Sequence, residues 1–312
     1  MYYSVKPYVW LRGTIPKLYI VTNIKEQIEQ CYELNNVTYE DLKTLANDVL
    51  KVTSDEGKFA LKIYNPNSRT KDEVAWEIEL TLHLIKNNVP VIKPVAGKQG
   101  YVSTFNIDGK ERTVVLSEWA AGEKPAPSEE TYFLIGKAAA KIHEAAETFN
   151  QPTTREIYDV EYLIDHQLLL IQDVLNEVNL WQEVKDLTDR LKQHLKKLKL
   201  DIGICHIDLT LDNVHIADGK VIIFDFDSAA VCWRAYEAWG VLKTAQWRFD
   251  AWLKGYRTIR SFSRDDEKAV ACFAIIGDIA NTVWKLGFAK SSRGEPLLKT
   301  SELPSVVDEW LN

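Results

Sequence analysis

The dipeptide Asp218-Gly219 constrains this chain of 312 residues more tightly than any other feature. It separates two short apolar runs, Val-His-Ile-Ala at 214–217 and Lys-Val-Ile-Ile-Phe at 220–224. Asp-Gly in that setting predicts a hairpin with a two-residue loop, because both turn positions need positive φ. Such a loop fixes the register. Ala217 faces Lys220, so Asn213 lies opposite Phe224 and Asp225 follows one residue further on. Opposed residues of a hairpin are ~5 Å apart and diagonal ones ~7–8 Å. An amide oxygen and a carboxylate are thereby brought to one end of the hairpin, where they can share a hard, oxygen-liganded cation such as Mg2+. Asp208 sits in the loop that enters the hairpin.

The same stretch reads His206-x-Asp208-Leu209-x-x-x-Asn213 and then Asp225-Phe226. This is the spacing of a kinase catalytic loop followed by its metal loop. In such a site one Asp orients or deprotonates the acceptor hydroxyl, and the Asn and second Asp hold Mg2+ on the nucleotide phosphates. Asp208 is the expected catalytic residue, and Asn213 and Asp225 are the expected metal ligands. Asp227 stands where protein kinases usually carry Gly; it either supports the second metal, where we count it, or shapes the loop. Asp212 is either solvated or touches metal or substrate. His206 is expected to pack and hydrogen-bond rather than carry a proton, and Cys205 to be an inert buried thiol.

Such chemistry also needs a strand lysine on the phosphates and a helix glutamate to hold it. Lys62 lies in the apolar strand FALKIY at 59–64, reached from a strand at 48–53 through a turn at 54–57. The next helix starts near Thr70 in a capping box with Glu73 and stops before Val89-Pro90. On a wheel of ~100° per residue, Glu77 falls inside the arc of Val74, Ile78, Thr81, Leu84 and Ile85, whereas Glu79 falls outside it. A carboxylate on a buried face needs a partner, and Lys62 is the expected one.

A short helix is expected over 23–35, and strands over 101–106 and 112–118. The segment AGEKPAP at 121–127 marks a boundary between a mixed first half and a mainly helical second half. Beyond it, Ser128 caps a helix striped by Leu134, Ala138, Ile142 and Ala145. A further helical pattern covers 158–200, broken near Asn179, with a basic run at 192–199 that reads as a solvated face. The tryptophan-rich part from 234 onward is helical, its aromatics forming core or pocket wall. The net charge of −7 argues against a broad nucleic-acid surface. Mean hydropathy of −0.22 fits a soluble enzyme. No apolar run approaches the ~18–20 residues of a membrane span. The start, MYYSVKPYVWLRG, does not read as a signal peptide. Four scattered cysteines without a CxxC pair point to reduced thiols in a cytoplasm.

At these residues the chain resembles the aminoglycoside phosphotransferase and choline kinase superfamily. ANDVLKV (46–52), FALKIY (59–64), EIELTLHLIKNNVPVIKPV (77–95), LSEWAAGE (116–123), IGKAAAKIHEA (135–145), HIDLTLDN (206–213) and IIFDFD (222–227) carry the likeness. CWRAYEAWG (232–240) and LKGYR (253–257) are similar to the branch with type II homoserine kinases, spore-coat-associated kinases and the bacterial stress-response kinase. The resemblance implies an α+β, two-lobed, protein-kinase-like fold: an N-terminal nucleotide-binding lobe at 1–119 with an antiparallel sheet and one key helix, a hinge at about 116–122, and a mainly helical C-terminal lobe at 120–312 with a catalytic hairpin. It implies ATP bound beneath the hinge, with Glu118 and Trp119 in contact, and transfer of the γ-phosphate to a hydroxyl of a small molecule. One departure is that 37–48, where a glycine-rich phosphate loop belongs, contains no Gly. Asp208, Asp212, Asp227 and Glu237 are expected to leave the acceptor pocket negative, which favours an amino-hydroxyl compound such as an aminoglycoside or amino alcohol. The alternatives are a protein Ser/Thr kinase on the same fold and a non-catalytic pseudokinase, the latter opposed by the intact set Lys62, Glu77, Asp208, Asn213 and Asp225. Neither a nucleic acid nor a membrane partner is expected.

Overall fold

The computed structural model describes residues 23–42, 44, 46–287 and 297–311. The N-terminal stretch read for a signal peptide lies outside the described residues, as do positions 43 and 45 of the glycine-free segment.

The N-terminal part runs α1 (Ile24–Tyr32), β1 (Thr38–Asp41), β2 (Asp48–Ser54), β3 (Gly57–Ile63), α2 (Lys71–Lys86), β4 (Pro94–Val95), β5 (Ser103–Ile107) and β6 (Lys110–Glu118). The strands form one antiparallel sheet in the order β1-β2-β3-β6-β4, with β5 also on β6. Strand alternation sorts its two faces. Leu50, Val52, Leu61, Ile63, Val114 and Leu116 pack on Ile24 and Ile28 of α1. Ala60, Lys62 and Val115 look the other way, into a cleft. On that side Val74 and Ile78 of α2 pack against Tyr64 and Val115. The capping box is formed: the Thr70 hydroxyl accepts from Glu73 N (3.3 Å), and Glu73 Oε2 accepts from Thr70 N (2.8 Å).

The C-terminal part comprises α3 (Glu129–Ala146), β7 (Ile157–Tyr158), α4 (Gln167–Glu177), α5 (Trp181–Leu195), β8 (Ile202–Cys205), β9 (Val214–Ala217), β10 (Lys220–Ile223), β11 (Ala230–Trp233), α6 (Trp239–Thr244), α7 (Gln246–Tyr256), α8 (Arg264–Gly287) and α9 (Leu303–Leu311). Ser128 caps α3 by accepting from Thr131 N at 3.1 Å. Helices α3 and α7 cross with backbones nearly touching. A Cβ at Gly136 would overlap the Trp252 carbonyl, and one at Gly255 the Phe133 carbonyl. The molecule is therefore α+β, a sheet with one key helix followed by a mainly helical part, as expected.

The segment 158–200 is mainly helical and broken at Asn179 (φ 58°), as read, but its start differs: Tyr158 ends a strand and a π-helical turn at Glu161–His166 precedes α4. The small sheet β7-β11-β8 was not expected, since its short strands pair across long stretches of sequence, as in Val231↔Ile204. Lys192 in the basic run pairs with Asp165 and Asp189 on the surface. The expectation of no span-length apolar segment meets one exception: α8 is long and apolar enough by composition. Its Val270, Phe273, Ile276, Ile279 and Val283 are buried in the helical core. Among the tryptophans read as core or wall, Trp252 and Trp310 are buried, Trp233 stacks on Phe273 (centroids 5.5 Å apart), and Trp247 stays 42% exposed beneath the Arg248 guanidinium.

Candidate active site

The hairpin takes the predicted register, from Lys220↔Ala217 to Ile223↔Val214. Asp218 (φ 50°) and Gly219 (φ 70°) supply the two positive turn angles. Phe224 N donates to Asn213 O at 3.0 Å, which places Asn213 opposite Phe224. The Asn213 amide donates from Nδ2 to both the carbonyl and Oδ2 of Asp208, each at 2.8 Å. Asn213 is one of the residues that line the cleft. Asp225 takes a left-handed backbone (φ 64°), and its carboxylate, 44% exposed, accepts from Lys62 Nζ at 2.7 Å.

Lys62 Nζ also lies 3.8 Å from Glu77 Oε1 and 4.0 Å from Asp227 Oδ2. Burial opposes its charge, but Asp225, Asp227 and Glu77 more than offset this, so its pKa rises well above the ordinary lysine range. The sequence assigned Glu77 to Lys62, and that pair is present. The tighter partner is one the sequence did not reveal: Arg155 Nη2 donates to Glu77 Oε2 at 2.8 Å, while the Tyr64 hydroxyl donates to Oε1 at 3.0 Å. Nothing in the sequence marks Arg155, which comes from the loop after α3.

Asp208 is open to water, yet the cleft walls crowd it. This partial desolvation is the main cause that pushes its pKa up to about 6, with the Asp225 charge adding to it and His206 and the Asn213 amide opposing. His206 is fully buried, packs at a tilt against Phe226 (ring centroids 4.5 Å apart) and donates from Nε2 to Phe224 O at 3.1 Å, the packing role expected. Cys205 is likewise buried and free.

Of three other acidic residues read with the site, Glu237 departs from its reading, while Asp227 and the exposed, cleft-lining Asp212 take positions that the reading allowed. The Asp227 carboxylate accepts from Asn47 Nδ2 (2.9 Å) and Arg69 Nε (3.1 Å), so its oxygens are engaged by protein donors that bind the loop. Burial would raise its pKa, but the charges of Lys62, Arg69 and Arg155, with the Asn47 hydrogen bond, hold it down to about 2. Glu237 was read as part of the acceptor pocket; it is buried beneath the 206–213 loop instead. Its Oε2 accepts from the backbone N–H groups of His206 (2.8 Å) and Ile207 (3.3 Å), and Ile207 is held at φ 74°. Asp212 is exposed and pairs with Lys124. Of the four carboxylates behind the negative-pocket argument, Asp208 alone remains unpaired by a cation or a backbone donor.

The cleft holds about 350 Å3 and is lined by Val49, Ala60, Lys62, Val115, Ser117, Trp119, Ala120, Asn213 and Asp225, among others. Trp119 is therefore on its wall, as expected. Glu118 is exposed at the end of β6 and does not line the cleft. The chain beyond Trp119 is fastened to the hairpin: Glu123 and Ile216 exchange backbone hydrogen bonds (3.3 and 2.9 Å), and Ala120 O lies 3.2 Å from His215 Nδ1. Gly122, at φ 79°, has no room for a Cβ against Ile216 O.

A strand lysine and helix glutamate thus face an Asp/Asn/Asp set across one cleft. A family described as the phosphotransferase enzyme family matches residues 42–270. The chain belongs to this family. The phosphotransferase is 26% identical to a homoserine kinase of Burkholderia vietnamiensis over 270 residues, 76% of each chain. Two solved structures share its kinase-like fold. A microcompartment-associated aminopropanol kinase gives a TM-score of 0.73 at 18% identity, covering 92% of this chain and 94% of its own. An amicoumacin kinase in complex with AMP-PNP, Ca2+ and its ligand gives 0.68 at 20% identity, covering 91% and 90%.

Proposed function

We propose that this phosphotransferase uses ATP and Mg2+ to phosphorylate a hydroxyl of a small molecule. The observation that carries the reading is the single cleft into which Lys62, Asn213 and Asp225 project, with Asp208 hydrogen-bonded to Asn213. The donor set fits a hard cation. Asn213 offers an amide oxygen and Asp225 an exposed carboxylate, both hard oxygen donors. Asn213 and Asp225 would hold Mg2+, which when bound screens the charge on the nucleotide phosphates. Asp227, bound by Asn47 and Arg69, shapes the loop in this reading rather than contacting the metal.

Lys62 contacts the phosphates, and Glu77 keeps it aimed. Asp208 accepts a hydrogen bond from the acceptor hydroxyl and takes its proton as the oxygen attacks the γ-phosphorus of ATP; the bond from that phosphorus to the β–γ bridging oxygen breaks and ADP leaves, while the Asn213 amide fixes the carboxylate's orientation. The adenine would lie against Trp119 and the 116–122 hinge, which we take as the division between an N-terminal lobe at 1–119 and a C-terminal lobe at 120–312. An amino-hydroxyl acceptor is supported by the relatives, among them a homoserine kinase and an aminopropanol kinase, rather than by a surplus of pocket carboxylates. Free thiols at all four cysteines are consistent with a cytoplasmic location.

The test is ATP consumption with Mg2+ against amino alcohols, homoserine, aminoglycosides, sugars and generic protein substrates. Turnover of a small amino-hydroxyl compound is expected. Turnover of protein substrates alone would favour a protein kinase, and neither turnover nor Mg2+-dependent ATP binding would leave a scaffold.

A further inference from the structure

Arg155 is buried, and its guanidinium fork holds two elements at once. Nη1 donates to the backbone carbonyls of Phe226 (3.0 Å), Asp227 (2.7 Å) and Ala229 (3.1 Å), the residues directly after Asp225. Nη2 donates to Glu73 O (3.1 Å) and Glu77 Oε2 (2.8 Å), on one face of α2. The guanidinium lies over the Trp76 ring, 5.3 Å from its centroid, which adds a third contact to the same helix.

We propose that Arg155 is a positioning residue that ties the metal loop to α2, so that Asp225 and the Lys62–Glu77 pair keep one mutual geometry. This rests on the kinase reading above for what that geometry serves. The physical argument is one of connectivity. Asp225 has a left-handed backbone, which costs energy in a non-glycine residue and persists only where its surroundings fix it. The loop carbonyls that follow point inward and need donors. Arg155 supplies three of those hydrogen bonds, and its other amino group grips the carboxylate that faces Lys62. A shift of α2 away from the loop would strand either buried carbonyls or a buried charge pair, both costly. Arg69 runs alongside it, donating to Asp227 O at 2.7 Å and lying 3.7 Å from Glu73 Oε1 of α2, and Lys62 joins Asp225 to Glu77 by charge; Arg155 is the group that joins the loop carbonyls to Glu77.

The role needs a planar fork, so lysine cannot replace it. A single ammonium cannot serve the loop carbonyls and Glu77 from two nitrogens at once. The test compares wild type with Arg155→Lys and Arg155→Met. Hydrogen exchange, which needs no nucleotide, should show faster exchange confined to 226–229 and the turn of α2 around Glu77, with α3 and α7 unchanged. Kinetically, kcat should fall about 10²-fold, as a misplacement near 1 Å does, with the acceptor KM unmoved. Arg155→Lys should recover part of the loss. If Arg155→Met does not fold, Arg155→Lys carries the test. A folded Arg155→Lys with wild-type exchange at 226–229 and wild-type kcat would overturn the proposal. A wild-type enzyme with no Mg2+-dependent ATP binding would instead remove the kinase reading, and the exchange result would still decide whether the tether exists.

Discussion

Asp208 and Asp225 flank Asn213 in the sequence and differ in their surroundings. Asp208 is fixed by an amide, and its pKa is pushed up to about 6 by crowding; Asp225 meets a lysine in the open cleft. Their substitutions should therefore fail differently. Asp208→Asn keeps the shape but cannot take a proton, so turnover should drop by about 10²-fold or more with ATP binding retained, as calorimetry alongside kinetics would show. Undiminished turnover would remove Asp208 as the base. Asp225→Ala should abolish the Mg2+-dependent part of ATP binding, and equal binding to both forms in Mg2+ would refute the metal assignment. These residues were legible because they are local: a two-residue turn fixes Asn213 and Asp225 through register alone. Arg155, Arg69 and Asn47 were not, because each meets its partner across a span that no spacing rule covers. Asp227 and Glu237 were visible as carboxylates, but a sequence does not say which donors will surround them.

At the scale of elements, helix starts and tight turns were readable because capping and positive φ are written in single residues such as Thr70, Ser128 and Gly219. The three-stranded sheet β7-β11-β8 was not, since strands of two to four residues have too little alternation to register. The α3–α7 crossing gives a case where two effects compete. Gly136→Ala should gain about 1 kcal/mol of helix propensity. It also places a methyl on the Trp252 backbone, and overpacking of that kind costs about 1–3 kcal/mol. Backbone cannot swing aside as a side chain can, so the net effect should be destabilising. Gly240→Ala in α6 meets nothing within 4 Å and serves as the control, gaining up to about 1 kcal/mol. Urea midpoints of the two variants should move in opposite directions from wild type; a stabilised Gly136→Ala would show that the crossing has slack.

In the molecule as a whole, the hairpin is where the two parts meet. β9 bonds to Glu123, and the end of β10 bonds to the segment after α2 through Ile92 N to Ile223 O and Ile223 N to Pro90 O, each 2.9 Å. Beneath the catalytic loop, His143 of α3 connects this region to the helical core, with Nε2 3.5 Å from Glu237 Oε2 and Nδ1 2.9 Å from the Tyr256 hydroxyl. Burial lowers the His143 pKa, Arg234 and Arg260 lower it further, and Glu237 only partly opposes them; Cys205 also faces this group. The folded state thus binds a proton at His143 less readily than the unfolded chain does. Stability from this group is full above the ordinary histidine pKa of 6.5 and declines as pH falls through it. Glu237 acts in the same direction at lower pH. Its folded pKa is held below the ordinary 4.5, so its contribution is present above that value and is lost as pH falls through the folded one. Between about pH 7.5 and about pH 5 the His143 contribution declines before Glu237 titrates, while Asp208, its pKa raised to about 6, acts with the opposite sign, so the His143 share is read from the difference between wild type and a His143 variant. His143→Gln should lower stability at about pH 7.5 and lose less, or gain more, than wild type on going to about pH 5, measured by urea unfolding at each. Equal pH differences in the two proteins would show that His143 does not govern this window.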